Sequence, residues 1–222
     1  MKKHLILLLL ALVTAGKTFA QLDAQAKTIL SQVSQKYKAY NLIKTDFTFS
    51  LDNPQAGVKD SQSGSLIAKP KTGKFKVTIN GKGNAINQEI TSDGKNQWTY
   101  LKKDNEVQVN EVDKSGEGLN PAQIFTIYEK GFKYLYTGDQ KLNGKLCQVI
   151  DLSPTDAKRN IFKVRLFIDK AQKQIYSATI FDKSGSRITY TLKSFNTNLN
   201  LPESTFTFDA KAHPGVEVVD LR

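Results

Sequence analysis

Few residues of this chain could carry out chemistry. Of its two histidines, His213 lies in an Ala-His-Pro-Gly turn, and His4 lies near the N-terminus in a stretch that reads as a cleaved leader. The only cysteine, Cys147, sits inside a strand-like pattern far from His213, so a Cys-His nucleophile pair finds no support in the spacing. Asp139, Asp151, Asp156 and Asp169 fall at strand ends and turns, where carboxylates support turn formation. No His, Cys, Asp and Glu cluster has metal-ligand spacing. The glycine-rich stretch from Asn80 to Asn84 precedes no helix that could present backbone donors to a phosphate. The residues thus argue against an enzyme and name neither a metal nor a cofactor. A carboxylate pair assembled by folding stays open as the route to a hydrolase.

What the chain holds in surplus is apolar strand face. Phe75, Val77 and Ile79 alternate with Lys74, Lys76 and Thr78, the period of a strand with one dry side and one wet side. Ile90 lies in a second strand that ends at Ser92, Asp93-Gly94 turns the chain, and Trp98 and Tyr100 share a face of the returning strand. Phe47 and Phe49 repeat the pattern upstream, and Leu66 lies in GSLIAKP. These nine side chains are expected to line one side of a sheet, which either fills itself or encloses an apolar cavity.

The elements that would position this wall follow in order. Ala26, Ile29, Leu30, Val33, Tyr37 and Tyr40 recur at helical spacing, predicting an amphipathic helix from Asp23 to Leu42 with Asp23 as N-cap. A polar loop is expected from Asp52 to Gln62 and a polar segment from Asp113 to Asn120. Asn120 and Pro121 then open a short helix containing Ile124, Phe125 and Tyr128. Alternating runs at 146–152, 161–168, 175–181 and 187–195 predict a meander. Phe206 with Phe208, and Val216 with Val218 and Val219, suggest short closing strands. Ten or eleven antiparallel strands with few helical turns describe a mainly β domain, an incomplete barrel with a helical cover.

Residues 1–20 read as a signal peptide: Lys2 and Lys3 precede an apolar run from Leu5 to Val13, and Thr18-Phe19-Ala20 offers a cleavage site. Nine apolar residues fall well short of the roughly 20 that span a membrane, and no cysteine follows to be lipidated. Residues 21–222 are expected to form one soluble, exported, monomeric domain. The leader holds Lys2, Lys3 and Lys17 and no acid, so the remainder keeps +8 of the net charge of +11. Export argues against nucleic acid as the partner, and the dispersed lysines read as solvated strand faces. A single cysteine leaves stability to packing.

The order of these stretches resembles the periplasmic outer-membrane lipoprotein carrier (LolA) family. The resemblance is carried by a small-residue strand ending in Lys69-Pro70, a following aromatic, SDGKNQWTY at 92–100, the helix before Asp46-Phe47-Thr48, and FTFDAKAHPGVEVVDLR at the C-terminus. It implies a half-open antiparallel β-barrel whose helical lid, with Leu30, Val33, Tyr37, Ile124, Phe125 and Tyr128, covers a hydrophobic cavity for the acyl chains of lipoproteins. It also implies an inner-membrane ATP-driven exporter as donor and an outer-membrane acceptor. Where the family has an arginine before the proline, this chain has Lys69, and the resemblance carries to it a lid-latching role. A carrier or sensor of another lipid, and an exported β-protein with a filled core, fit the same pattern.

Overall fold

The computed structural model describes residues 2–81, 83, 85–112 and 121–222, and of residues 2–20, 121 and 123 the backbone course alone. The expected polar segment at 113–120, Asn120 and part of the Asn80 to Asn84 turn lie outside the described residues.

The described residues form one helix and twelve strands: α1 (Lys2–Ala39), β1 (Ile43–Asn53), β2 (Val58–Lys69), β3 (Lys74–Asn80), β4 (Ile86–Ser92), β5 (Asn96–Leu101), β6 (Glu106–Glu111), β7 (Phe132–Leu142), β8 (Lys145–Pro154), β9 (Ile161–Asp169), β10 (Gln174–Asp182), β11 (Arg187–Leu192) and β12 (Glu217–Asp220). Short 3-10 turns occupy Pro121–Phe125, Ile127–Glu129, Glu203–Phe206 and Ala210–Ala212. All strands belong to one sheet in the order β12-β6-β5-β4-β3-β2-β1-β11-β10-β9-β8-β7. Its two edges, β12 and β7, do not meet, so the sheet is open, an incomplete barrel rather than a closed one.

Several expectations are refined. Asp23 is not an N-cap, because α1 runs from Lys2 without interruption, and the helix ends at Ala39, three residues short of Leu42. The loop expected from 52 to 62 shrinks to a hairpin turn, since β1 and β2 pair as far as Asn53 and Val58. Phe206 closes a 3-10 turn and forms no strand. β12 pairs with β6 in parallel, the one departure from an antiparallel sheet.

The core lies on the concave side. Phe47, Leu66, Phe75 and Val77 from one half of the sheet meet Ile150, Leu152, Val164, Leu166 and Ile180 from the other. The α1 stripe of Ala26, Ile29, Leu30, Val33 and Tyr37 covers them, together with Ile124, Phe125 and Tyr128. Gly64 makes one close approach possible. It sits opposite Phe47 in the β1–β2 ladder, and a Cβ there would lie 2.5 Å from both the Phe47 ring and the Thr78 carbonyl oxygen. Only glycine lets the ring lie across β2.

Candidate functional site: the lidded concave face

Seven of the nine expected wall residues share the concave face. Phe47, Leu66, Phe75 and Val77 are buried beneath the lid, while Phe49, Ile79 and Ile90 are half-buried and pack against the same core. Register places them together: Leu66 faces Val77, Phe75 faces Ala68, and Val77 faces Ile90.

Trp98 and Tyr100 are not part of this wall. Ser92 pairs with Gln97, so the inward Ile90 faces Thr99, and the residues on either side of Thr99 must point to the convex face. There Trp98 lies opposite Val109 and Tyr100 opposite Val107. Alternation puts Trp98 and Tyr100 on one face of their strand, which was expected to be the wall side. The parity of the β4–β5 connection sends them outward instead, where the C-terminal segment supplies a second apolar layer. The Tyr100 ring lies 5.6 Å from that of Phe208 and 4.4 Å from that of His213, and Phe206 nearby is fully buried.

Lys69 also faces away from the lid. The concave position in β2 is Ala68, and Lys69 turns to the convex side. Its Nζ pairs there with Glu203, which also takes Lys74, and lies 5.1 Å above the Phe206 ring. These ion pairs hold the Glu203 carboxyl down at about 2. The latch expected of Lys69 therefore has no geometric basis at the lid; the residue fastens the C-terminal segment.

The lid is held by other groups. All six expected lid residues, Leu30, Val33, Tyr37, Ile124, Phe125 and Tyr128, are buried in the same core cluster. The Tyr37 hydroxyl accepts a hydrogen bond from the Ile175 backbone N–H at 3.1 Å, next to a register shift between β9 and β10. That bond satisfies a buried donor, and burial pushes the Tyr37 hydroxyl well above its ordinary range. The Tyr37 ring packs 4.6 Å from Phe125, and Phe195 completes the group at 6.0 Å from Tyr37 and 5.7 Å from Tyr40.

Glu129 joins the two lid pieces, accepting from Ser34 Oγ and Lys38 Nζ at 2.8 Å each. Burial opposes its ionisation, but the bonds from Lys38 and Ser34 outweigh that and hold the carboxyl below its ordinary value. Sequence reasoning missed Phe195, Glu129 and Lys38. No local pattern marks them, since each acts across about a hundred residues of chain.

The floor extends beyond its cover. Phe49, Ile79 and Ile188 continue the concave apolar row toward the β1–β2 and β10–β11 turns, and there the side chains are only half-buried. Tyr190, between the lidded and open parts, lies 6.0 Å from Phe47 and 5.3 Å from Phe49, and burial pushes its hydroxyl up to about 12. A groove of about 660 Å³ near the same end is lined by Ser50, Asp52, Lys59, Thr179, Phe181 and Arg187, mostly outward-facing positions, and is distinct from this floor. Cys147, in β8, and His213, packed on β5, are separated by seven intervening strands and form no catalytic pair.

An open, strongly curved sheet with an apolar concave floor and a helical lid agrees with the comparison to known families. Residues 38–209 match the family model described as outer membrane lipoprotein carrier protein LolA. The chain belongs to the LolA family. The match begins at the very end of α1, so most of the lid helix lies before it. No curated protein matches the sequence significantly.

Among solved structures, the LolA-family fold found here is similar to that of an uncharacterized conserved protein from Thermus thermophilus. The two share 13% identity at a TM-score of 0.60, over 88% of this chain and 99% of that one. More distant are a LolA superfamily protein from Nitrosomonas europaea, with 14% identity, TM-score 0.47 and 83% and 98% of the chains covered, and the lipoprotein LppX from Mycobacterium tuberculosis, with 12% identity, TM-score 0.47 and 79% and 99% covered. Among the described residues no helix is long and apolar enough to cross a membrane.

Proposed function

We propose that this LolA-family protein is a periplasmic carrier that binds the acyl chains of lipoproteins on its concave face. In this reading it takes them from an ATP-driven exporter in the inner membrane and delivers them to an acceptor at the outer membrane. The observation that carries the reading is the continuity of the apolar floor: the same strand faces run from beneath the lid, where they are fully buried, to the open end, where Phe49, Ile79 and Ile188 are half-buried. An acyl chain entering over the exposed part meets apolar side chains throughout, and displacing the lid uncovers more of the same surface. Each buried methylene contributes about 0.8 kcal/mol, so two or three long chains amount to tens of kcal/mol that water would otherwise oppose.

The lid suits release as well as binding. It rests on side-chain packing, one hydroxyl acceptor at Tyr37 and the partly exposed Glu129 clamp and pairs with no strand, so it can lift without breaking the sheet, and acyl chains that fill the floor replace the apolar contacts that closure makes. Cargo that binds the open form shifts the population toward it.

Native mass spectrometry of the processed protein, purified gently from its own envelope, tests the proposal. Bound masses of acylated proteins would support it and identify the cargo. A free lipid would replace it with a LolA-like carrier of that lipid, and a bare protein that also ignores added lipoprotein would overturn it.

A further inference from the structure

A buried polar side chain on the concave face lacks a partner. Ile150 and Leu152 point into the core from β8, so alternation turns Gln148 to the same side, and the register sets it opposite Ile168 of β9. Gln148 is only 7% exposed. The lid passes above it: α1 packs against β7 and β10, and β8 and β9 lie between those two strands. Among the described residues, the Gln148 Oε1 accepts no hydrogen bond, and it is closed off from solvent.

Elsewhere the fold satisfies such groups. Thr45 donates to the Ser194 carbonyl, Ser177 donates to the Tyr190 carbonyl, and Asp169 accepts from Lys145 and from the backbone N–H groups of Ala171 and Gln172. Donors lie near Gln148 but are aimed elsewhere. Asp139, its partner across the β7–β8 ladder, accepts from Tyr136 Oη and from Lys170 Nζ at 2.6 Å each. A sealed amide oxygen without a donor costs stability, so its place in an otherwise apolar floor calls for a reason.

We propose that Gln148 is a specificity-determining residue of the concave face: with the lid displaced, its Oε1 accepts a hydrogen bond from an N–H or O–H group at the head of a bound acyl chain. The inference rests on the carrier reading and names the part of the cargo that the floor alone does not distinguish. An apolar floor holds any alkyl chain by its area, whereas an acceptor fixed among Ile150, Leu166 and Ile168 favours a ligand that brings a donor and rejects one that leaves it unpaired. The surroundings suit a ligand with a polar head and an apolar tail. Tyr136, Asp139 and Lys170 form a polar rim beside Gln148 at the β7 edge, where the head can reach solvent. From Ile150 an apolar row runs through Leu166, Ala178 and Tyr190 to Phe49 at the open end, a path for the tail.

Gln148→Met keeps the side-chain volume and removes the acceptor. The processed protein and the variant are compared by displacement of a fluorescent fatty acid with N-lauroylglycinamide, monolauroylglycerol and methyl laurate, which share one chain and differ in the donor at its head. The expected result is that the variant binds one or both donor-bearing ligands about fivefold to tenfold more weakly, binds methyl laurate within about twofold of the original, and unfolds at an equal or higher denaturant midpoint. A loss confined to the amide assigns the donor to an acylated peptide, and a loss confined to the glyceride assigns it to a lipid glycerol; either supports the proposal. Equal changes for all three ligands, no change for any, or a lowered midpoint, which would show the amide to be bonded within the fold, would overturn it and leave the carrier reading standing. An unaltered protein that binds none of the three overturns both.

Discussion

The concave face and the β5–β6 part of the convex face are both apolar and both covered, yet their covers are fastened differently. On the convex face, the segment around 203–214 seats Phe206 with no exposure, stacks Phe208 and His213 at 4.7 Å, and is tied by Glu203 to two lysines. The chain then continues straight into β12, which pairs with β6. On the concave face, α1 and residues 121–129 cover a much larger apolar area but pair with no strand, and they are held by ring contacts, Tyr37 and Glu129. A cover woven into the hydrogen-bonded ladder opens only when the sheet itself comes apart. A cover resting on side chains can lift as a unit. Burial alone does not reveal this contrast, because both covers reduce exposure to near zero.

The largest expected effect falls on the permanent cover. Phe206→Ala removes a fully buried ring and is expected to cost about 3–5 kcal/mol, read as a lowered denaturation midpoint, with acyl-probe binding preserved in the protein that remains folded. Preserved stability would show that the convex cover is dispensable. Gly64→Ala strikes the concave core, where the added Cβ meets the Phe47 ring and the Thr78 carbonyl; overpacking of about 1–3 kcal/mol is expected in the same unfolding measurement.

Tyr37→Phe keeps the ring packing and leaves the Ile175 N–H without its acceptor, at a cost of about 1–3 kcal/mol that falls on the closed lid. Faster hydrogen exchange across residues 23–39, and tighter binding of a fluorescent fatty acid, would place that cost at the lid; a uniform rise in exchange over the whole sheet would not.

The Glu129 clamp gives a smaller and pH-dependent effect. Its carboxyl is held below its ordinary value of 4.5, so the clamp contributes fully above that value and is lost as pH falls through the depressed folded value. Lys38 is well exposed, so the contribution is about 1 kcal/mol or less. Glu129→Gln should abolish the acid-induced rise in lid exchange, and an unchanged pH profile would assign that rise to another group.

Smallest at the lid is Lys69→Leu. Because Lys69 serves the convex cover, transfer of cargo to an acceptor should be unaffected while exchange around residues 203–208 rises. Impaired transfer with quiet exchange there would restore a latch role to Lys69.

Much of this was legible in the sequence. Strand alternation from Phe47 to Ile90, and again from 146 to 192, defined most of the sheet, because a side-chain period of two is a local property of extended backbone. The helical stripe from Ala26 to Tyr37 was equally local. What could not be read was which face each strand offers to which cover. Trp98 and Tyr100 follow the same alternation as Phe75 and Val77, and only the pairing of Ser92 with Gln97 sends them to the opposite side. Lys69 shows the same limit: its place before Pro70 suggested the lid, whereas the neighbouring Ala68 occupies the inward position and leaves Lys69 to Glu203.

The sequence by itself determined that this is a mainly β chain with one amphipathic helix, little catalytic equipment and a large apolar wall. Only the tertiary structure decided that there are two apolar layers instead of one, that Glu129, Tyr37 and Phe195 hold the lid, and that Lys69 fastens the C-terminal segment. The reason is physical. Periodicity is set by neighbours along the chain, whereas parity across a hairpin and contacts between distant segments exist only once the sheet has formed.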